Sequence, residues 1–542
     1  MKMVKSLILG SAAGLIAMSG AQAADLPVKA KAVEYVRICS LYGAGFFYIP
    51  GTDTCIKLGG YLRVETAFNG SVYNGAYSSV NGAQNRLSNY YTARSRQDLT
   101  IDTRTATEYG VVRTFFDATF SWTTGSYAGA GTGGTTYSAG VGQVGNPSDG
   151  GIAGGSVGVY HAFIQFAGFT MGKTINPFDT PWVNYPGNNF DGLVGGSGDV
   201  TAVNQLTYTA QFGNGVSGSI GLDDPVVFNR TTVANLNLPI SATGSLANAY
   251  AGVHAPDVVG NIRVDQAWGL FQISAGAHEV NASYNILNSS LISPLTGSTA
   301  VFPTAAPAGA TGLAPGQANN FSEISGHPDT KWGGSVTAAL QIKNIPTGPG
   351  DDIKMDATWA KGDTKNVIST SGSSPSFTMF GGSGNGAYQS VGFGATTDAV
   401  YLPVINGGDG SLHLTTAWGV RGAFNHNWDP YWSTSLWGTY SAVRYDDTAK
   451  AYACTIYTAF RAAVHSADYS CNPDFNVAQL GVVTRWTPVK NLTFSAEVAW
   501  FHLDQKFTGS AVLTPTAPKP TAVYEFKDQD TAYLNVRVQR NF

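Results

Sequence analysis

Charge is scarce in this sequence. Only 12% of its 542 residues are Asp, Glu, Lys or Arg, about half the ~25% of an average soluble domain. The formal net charge is -4, which excludes the basic footprint that a nucleic-acid binder needs to neutralise phosphates. Disorder is excluded too, because 43% of residues are hydrophobic and 12% aromatic, whereas unfolded chains combine low hydrophobicity with high charge. Long apolar blocks are also missing. The run from Leu7 to Met18 is a dozen residues, short of the ~18 to 20 that span a bilayer as a helix. With a mean hydropathy of -0.03, the apolar residues must be dispersed among polar ones, and dispersion at period two means strands. Glycine, in contrast, is abundant at 66 residues.

The first segment is expected to lie outside the fold. Lys2 and Lys5 precede the apolar run, and Ala21-Gln22-Ala23 supplies a small-x-small site, so residues 1–23 resemble a secretory signal cleaved after Ala23. There are only four cysteines, Cys39, Cys55, Cys454 and Cys471. In an exported chain an even count suggests disulfides, and although four cysteines permit three connectivities, the short spacings favour Cys39 with Cys55 and Cys454 with Cys471. Neither pair has CxxC spacing and only His465 lies nearby, so no metal site is expected. Residues 24–56 read as an N-terminal lead with a local disulfide.

Alternation begins at Lys57. Leu58, Gly60, Leu62 and Val64 share one parity, and Lys57, Tyr61, Arg63 and Glu65 share the other, which puts aliphatics and charges on opposite faces of a strand. The register recurs with Leu99 and Ile101 against Asp98, Asp102 and Arg104, and with Leu206 and Tyr208 against Gln205 and Thr207. Met355 and Trp359 then oppose Lys354 and Asp356, Val498 and Trp500 oppose Glu497, and Val536 and Val538 oppose Arg537. Between these segments, tight connections rich in Gly, Pro, Asn and Asp alternate with long ones, at roughly 69–89, 122–156, 174–202, 223–257, 281–330, 362–410, 444–475 and 504–524. Seven short and eight long connections join about sixteen strands. An even number returns both termini to the side of the short turns.

A soluble β protein of this length would split into several domains, but no linker or composition shift interrupts residues 57–542. Tyr160, Phe212, Trp359, Trp428, Trp486, Trp500 and Phe542 lie near strand ends and are assigned to the aliphatic parity, as in aromatic girdles at a membrane interface. In hydrocarbon the backbone is satisfied only in helices or closed barrels, so the pattern predicts an all-β, transmembrane, antiparallel up-and-down barrel with short periplasmic turns and long external loops. Its polar parity lines a lumen that sixteen strands leave open to water. The expected partner is membrane lipid, with no nucleic acid, cofactor or metal.

The segment Ile38-Cys39-Ser40-Leu41-Tyr42-Gly43-Ala44-Gly45-Phe46-Phe47-Tyr48-Ile49-Pro50-Gly51-Thr52-Asp53-Thr54-Cys55-Ile56-Lys57-Leu58-Gly59-Gly60-Tyr61 resembles the porins of alphaproteobacterial outer membranes. So do Ala162 to Thr170, Asn261 to Trp268 and the terminal Phe542. The resemblance implies a multi-pass outer-membrane protein, a homotrimer passing small hydrophilic solutes and ions by passive diffusion, with the third loop folded into the lumen.

The candidate constriction loop is residues 174–202, carrying Asp179, Asp191 and Asp199, with Lys173 at its mouth and Pro177, Pro181 and Pro186 to stiffen it. Lys57, Arg63, Arg94, Arg96, Arg104 and Arg113 share the lumen parity of the first three strands. An acidic loop opposite a basic wall gives a transverse field in confined water. Arg263, Lys354, Arg421, Arg485 and Arg537 also point inward, with Asp102, Asp117, Asp265 and Asp356 as candidate partners. His161, His278 and His413 are expected to line the lumen.

Gly154-Gly155-Ser156-Val157-Gly158 fits GxSxG, and two loop stretches fit GxGxxG, but none has the strand-turn-helix context that its chemistry requires. Abundant glycine explains such matches, and no enzyme is expected. Two rival readings are an outer-membrane barrel enzyme, which needs a Ser-His pair close together on the outer rim, and a barrel-anchored surface adhesin or substrate-specific channel or receptor.

Overall fold

The computed structural model describes residues 37–69, 90–123, 156–183, 185–189, 202–225, 230–236, 248–285, 326–368, 376–384, 386–461, 464–515 and 519–542. The proposed signal, residues 1–23, lies outside them. Sixteen antiparallel strands run in sequence order. They are β1 (Thr54–Phe68), β2 (Tyr91–Thr107), β3 (Gly110–Thr123), β4 (Ser156–Phe166), β5 (Phe169–Thr174) and β6 (Val203–Gly213). β7 (Val216–Asp223), β8 (Asp257–Gln266), β9 (Gly269–Val280), β10 (Lys331–Lys343) and β11 (Asp352–Lys361) follow. β12 (Thr416–Asn427), β13 (Trp432–Arg444), β14 (Phe475–Val489), β15 (Leu492–Gln505) and β16 (Gln529–Asn541) complete the wall. Each pairs with its neighbour, and β16 pairs with β1 from Tyr61↔Asn541 to Phe68↔Leu534. The sheet therefore has no free edge. All seven short turns lie at one end and all eight long connections at the other, as the alternation predicts.

Which face touches lipid is decided by exposure. Leu206, Val498 and Val536 are 47%, 57% and 42% exposed, whereas Glu65, Arg94, Asp356, Arg421 and Glu497, on the opposite parity, are buried inside. A soluble sandwich would show the reverse. Exposed aromatics collect near both ends: Phe212, Trp268, Trp428, Trp432 and Trp486 toward the short turns, and Trp122, Trp332, Trp359, Trp418 and Trp500 toward the long loops. This is the double girdle of a bilayer-spanning barrel. Tyr160 is a correction to that pattern. A bulge between Asp117 and Ala118 shifts the register against β4, which turns Tyr160 inward so that its ring lies 5.7 Å from the Arg96 guanidinium. An inserted residue re-aims a side chain in this way, and a strict period-two count cannot see it.

The short turns follow local chemistry. Ala167-Gly168 closes β4 onto β5 with φ of 50° and 86°, a left-handed pair that matches the twist of a two-residue hairpin. The longer turn between β10 and β11 is organised by Asp351, which accepts from Thr347 Oγ1 at 2.6 Å, Asn427 N at 2.8 Å and His426 Nδ1 at 2.6 Å. Burial pushes this carboxyl up, but those hydrogen bonds outweigh it and hold its pKa down at about 2. A depressed carboxyl stabilises the fold above its unfolded pKa near 4 and loses that contribution as pH falls through about 2. Amide exchange in residues 345–351 should therefore accelerate between pH 4 and pH 2. Asp351→Asn should remove that pH dependence.

The long connections are more structured than their Gly/Ser/Thr composition implies. Strands Ser376–Gly381 and Gln389–Ala395 of the sixth loop join Ser510–Leu513 and Ala522–Phe526 of the eighth in a four-stranded sheet. Thr397–Tyr401 and His413–Leu414 join Thr232–Asn235 of the fourth loop in a second, three-stranded one. The seventh loop forms a helix, Asp447–Arg461, which the Cys454–Cys471 disulfide ties to the following segment. Phe377 sits 5.8 and 5.7 Å from Phe475 and Phe501, which face inward from β14 and β15. The sixth loop thus packs against the inner wall at the outer mouth, and its aromatics form part of the largest apolar core of the described residues.

At the opposite rim, the two-residue strand Phe47–Tyr48 pairs with β1 at Ile56 and Cys55, below the point where β16 ends. Cys39 is bonded to Cys55. The two disulfides are the local pairs that the spacings favour.

Candidate pore constriction

From Thr174 the chain leaves β5 and turns into the barrel. The described part of this third loop is hydrogen-bonded along the inner wall in strand order. Ile175 O accepts from Gln205 Nε2 on β6 at 2.8 Å, Pro177 O from Asn261 Nδ2 on β8 at 2.6 Å, and Asp179 O from Gln272 Nε2 on β9 at 2.8 Å. Trp182 Nε1 donates to Asp356 Oδ2 on β11 at 2.8 Å, and Thr180 Oγ1 accepts from Arg421 Nη2 on β12 at 2.9 Å. Further on, Gly187 O accepts from Arg485 Nη2 on β14 at 2.7 Å, and Asn189 N donates to Glu497 Oε2 on β15 at 2.9 Å. Glycine is required at 187, where a Cβ would lie 2.8 Å from the Ala423 Cβ. The loop therefore lines the arc from β6 to β15 and leaves the arc from β16 through β4 uncovered by its described residues.

Two anchors recruit charges that the parity had placed inward. Arg421 donates Nε to both oxygens of Asp356 at 2.9 Å, the pairing anticipated for these residues, and both side chains are fully buried. Trp182 completes the Asp356 carboxylate. Removing its N–H by Trp182→Phe strands a buried acceptor position, a loss of about 1–3 kcal/mol in loop anchoring. Single-channel recordings should show more frequent conductance fluctuations, with the global unfolding midpoint little changed. Between loop and wall, on the short-turn side, lies a polar cavity of ≈ 530 Å³ lined by Asn176, Thr209, Ser217, Asn261, Arg263 and Gln272.

The arc that the described loop leaves uncovered carries the basic residues in three tiers. Nearest the outer mouth, Glu65 on β1 binds Arg94 of β2 and Arg537 of β16, each through Nε and Nη2. In the middle, Arg63 donates to Gln539 Oε1 at 2.8 Å and Arg96 to Ser121 Oγ at 2.9 Å, with Asp98, Asp117 and Lys173 close enough to interact. At the short-turn rim, Asp102 accepts from Arg104 Nη2 at 2.9 Å and from Arg113 Nη2 at 3.1 Å, with Lys57 opposite Asp102 in the β1–β2 register. Of the acidic loop residues, Asp179 is buried on the β7–β9 side, close enough to Asp223 to interact with it, rather than beside the arginines. Asp191 and Asp199 lie outside the described residues. His161 points inward, with Nδ1 3.1 Å from Thr174 Oγ1, and His278 is buried between Asp257 and Tyr250. His413 belongs to the sixth loop, between Asp409 and Asp446, not to the barrel wall. Glu65, Trp182 and Asn189 were missed as site residues. Glu65 shares its parity with Arg63, but its role depends on the register of three strands.

Fold and site together define a transmembrane β-barrel of the bacterial outer membrane with a lumen narrowed from within. A sequence profile described as Porin subfamily matches residues 25–534, and the chain belongs to that family. Porin Omp2b of Brucella abortus (strain 2308) is 34% identical over 275 residues, 49% of this chain and 63% of the relative. Porin Omp2b of Brucella suis biovar 1 is 33% identical over 271 residues, again 49% and 63%. The chain thus spans less than two thirds of the length of these relatives. The solved outer membrane channel DcaP of Acinetobacter baumannii is 14% identical, covers 91% of this chain and 99% of its own, and superposes with a TM-score of 0.52. That likeness concerns the fold.

Proposed function

We propose that this chain is an outer-membrane porin, a channel rather than an enzyme, through which small hydrophilic solutes and ions diffuse passively. The observation that carries this reading is the division of the inner wall, with the described third loop bound to the arc from β6 to β15 and three tiers of arginine and lysine on the remaining arc. A wide channel discriminates by size and by fixed charge at its narrowest part. The constriction is assigned to the third loop, with Asp191 and Asp199 as its acidic residues toward a wall of Lys57, Arg63, Arg94, Arg96, Arg104 and Arg113, and with Asp179 buried on the β7–β9 side. A homotrimer in outer-membrane lipid is proposed on family membership and would be checked by the mass of the detergent-extracted protein. Purified protein in planar bilayers should give stepwise, salt-proportional conductance. A barrel that only anchors an adhesin would pass little current, and that result would displace the channel reading.

A further inference from the structure

The short-turn rim holds a cluster that diffusion alone does not need. Arg104 and Arg113 bind one carboxylate, Asp102, and Lys57 stands across from Asp102 in the strand register. The N-terminal segment closed by Cys39–Cys55 lies over them, with the Phe46 ring centroid 4.9 Å from the Arg104 guanidinium carbon and 5.9 Å from Lys57 Nζ, and the Tyr42 ring 5.7 Å from Arg104. On the other flank, Arg113 stacks 5.0 Å from Phe115 and 5.5 Å from Phe163. Aromatic faces hold cations without consuming their N–H donors. Arg113 spends its donors on Asp102 and Gln165, and Arg104 spends Nε and Nη2 on Asp102. Among the described residues, Arg104 Nη1 and the Lys57 ammonium have no hydrogen-bond acceptor. Lys57 and Arg104 are diagonal neighbours on one face of an antiparallel pair, at a spacing of about 7–8 Å. An oxyanion with two or more oxygens fits between such donors, and the Asp102 charge is already covered by two guanidinium groups.

The geometry points to a saturable binding site for a small oxyanion at the inner mouth, formed by Lys57 and Arg104, with Arg113 supplying field and the disulfide-closed segment supplying the aromatic seat. This rests on the channel reading and adds a ligand class to it. Facing the lumen, the site meets solutes rather than lipid headgroups. The test is a titration of inorganic phosphate at pH 7, at constant chloride, on single channels in zwitterionic lipid. Phosphate should reduce chloride current saturably, with half-effect in the millimolar range, and Lys57→Gln with Arg104→Gln should raise that concentration at least tenfold. Replacing Cys39 and Cys55 by Ser should weaken the effect in the same direction. Channels that conduct potassium chloride normally but show only a linear response to phosphate would overturn the site and leave the porin reading intact. Absence of any conductance would sink the porin reading instead, and the site with it. Parent-like phosphate response in the Lys57/Arg104 variant would place the anion elsewhere and overturn the assignment.

Discussion

Glu65→Gln should make this barrel markedly easier to unfold. Glu65 is the shared acceptor of Arg94 and Arg537, and all three side chains are at most 8% exposed. It stands on β1 and its partners stand on β2 and β16, so these contacts straddle the seam where the last strand closes on the first. Buried ion pairs contribute modestly to stability when intact, but removing one partner costs about 3–5 kcal/mol because a desolvated charge is left behind. Here two guanidinium groups would be left facing each other. The measurement is the temperature or urea concentration at which the folded form is lost in detergent or vesicles. Removing one of the two cations as well, in Glu65→Gln with Arg94→Gln, should recover part of the loss. A Glu65→Gln midpoint equal to the parent's would show that strand pairing alone closes the seam.

Neutralising Arg94, Arg96 and Arg113 together should shift ion preference toward cations. The three belong to different tiers, and each is offset differently: Arg94 by Glu65, Arg113 by Asp102, and Arg96 by the field of Asp98 and Asp117. Removing them leaves these carboxylates less compensated, so the wall changes by three charges in one direction. A unit charge about 8–10 Å from a permeating ion in water contributes roughly 0.5 kcal/mol, less with salt screening. Three give roughly a three- to tenfold change in the cation-to-anion permeability ratio. Reversal potentials under a salt gradient read this directly. An unchanged value would mean that the selectivity-determining charges lie elsewhere, with the outer cap of the sixth and eighth loops the next place to look.

Much of the barrel was legible because its solvent is unusual. Lipid outside and water inside impose a two-residue period on every strand, and the alternation of short and long connections counted the strands. Tyr160 was misassigned because one bulged residue reverses parity locally. In the sequence, residues 362–410 show only as a long connection, although Phe377, Phe380 and Phe393 inside it are core residues. Their partners Phe475, Phe501 and Phe507 lie about 100 residues or more away, and no local pattern links them.

The sequence alone determined that strands cross a membrane, that there are about sixteen, and which face of a regular strand meets hydrocarbon; it favoured the local cysteine pairs that the structure then showed. Those properties depend on spacing within a few residues. Only the tertiary structure decided which arc of the wall the described third loop covers, which arginines are neutralised by Glu65 and Asp102, and where donors remain. Such facts depend on the register of strands hundreds of residues apart, where a shift of one position would exchange a charge facing water for one facing lipid.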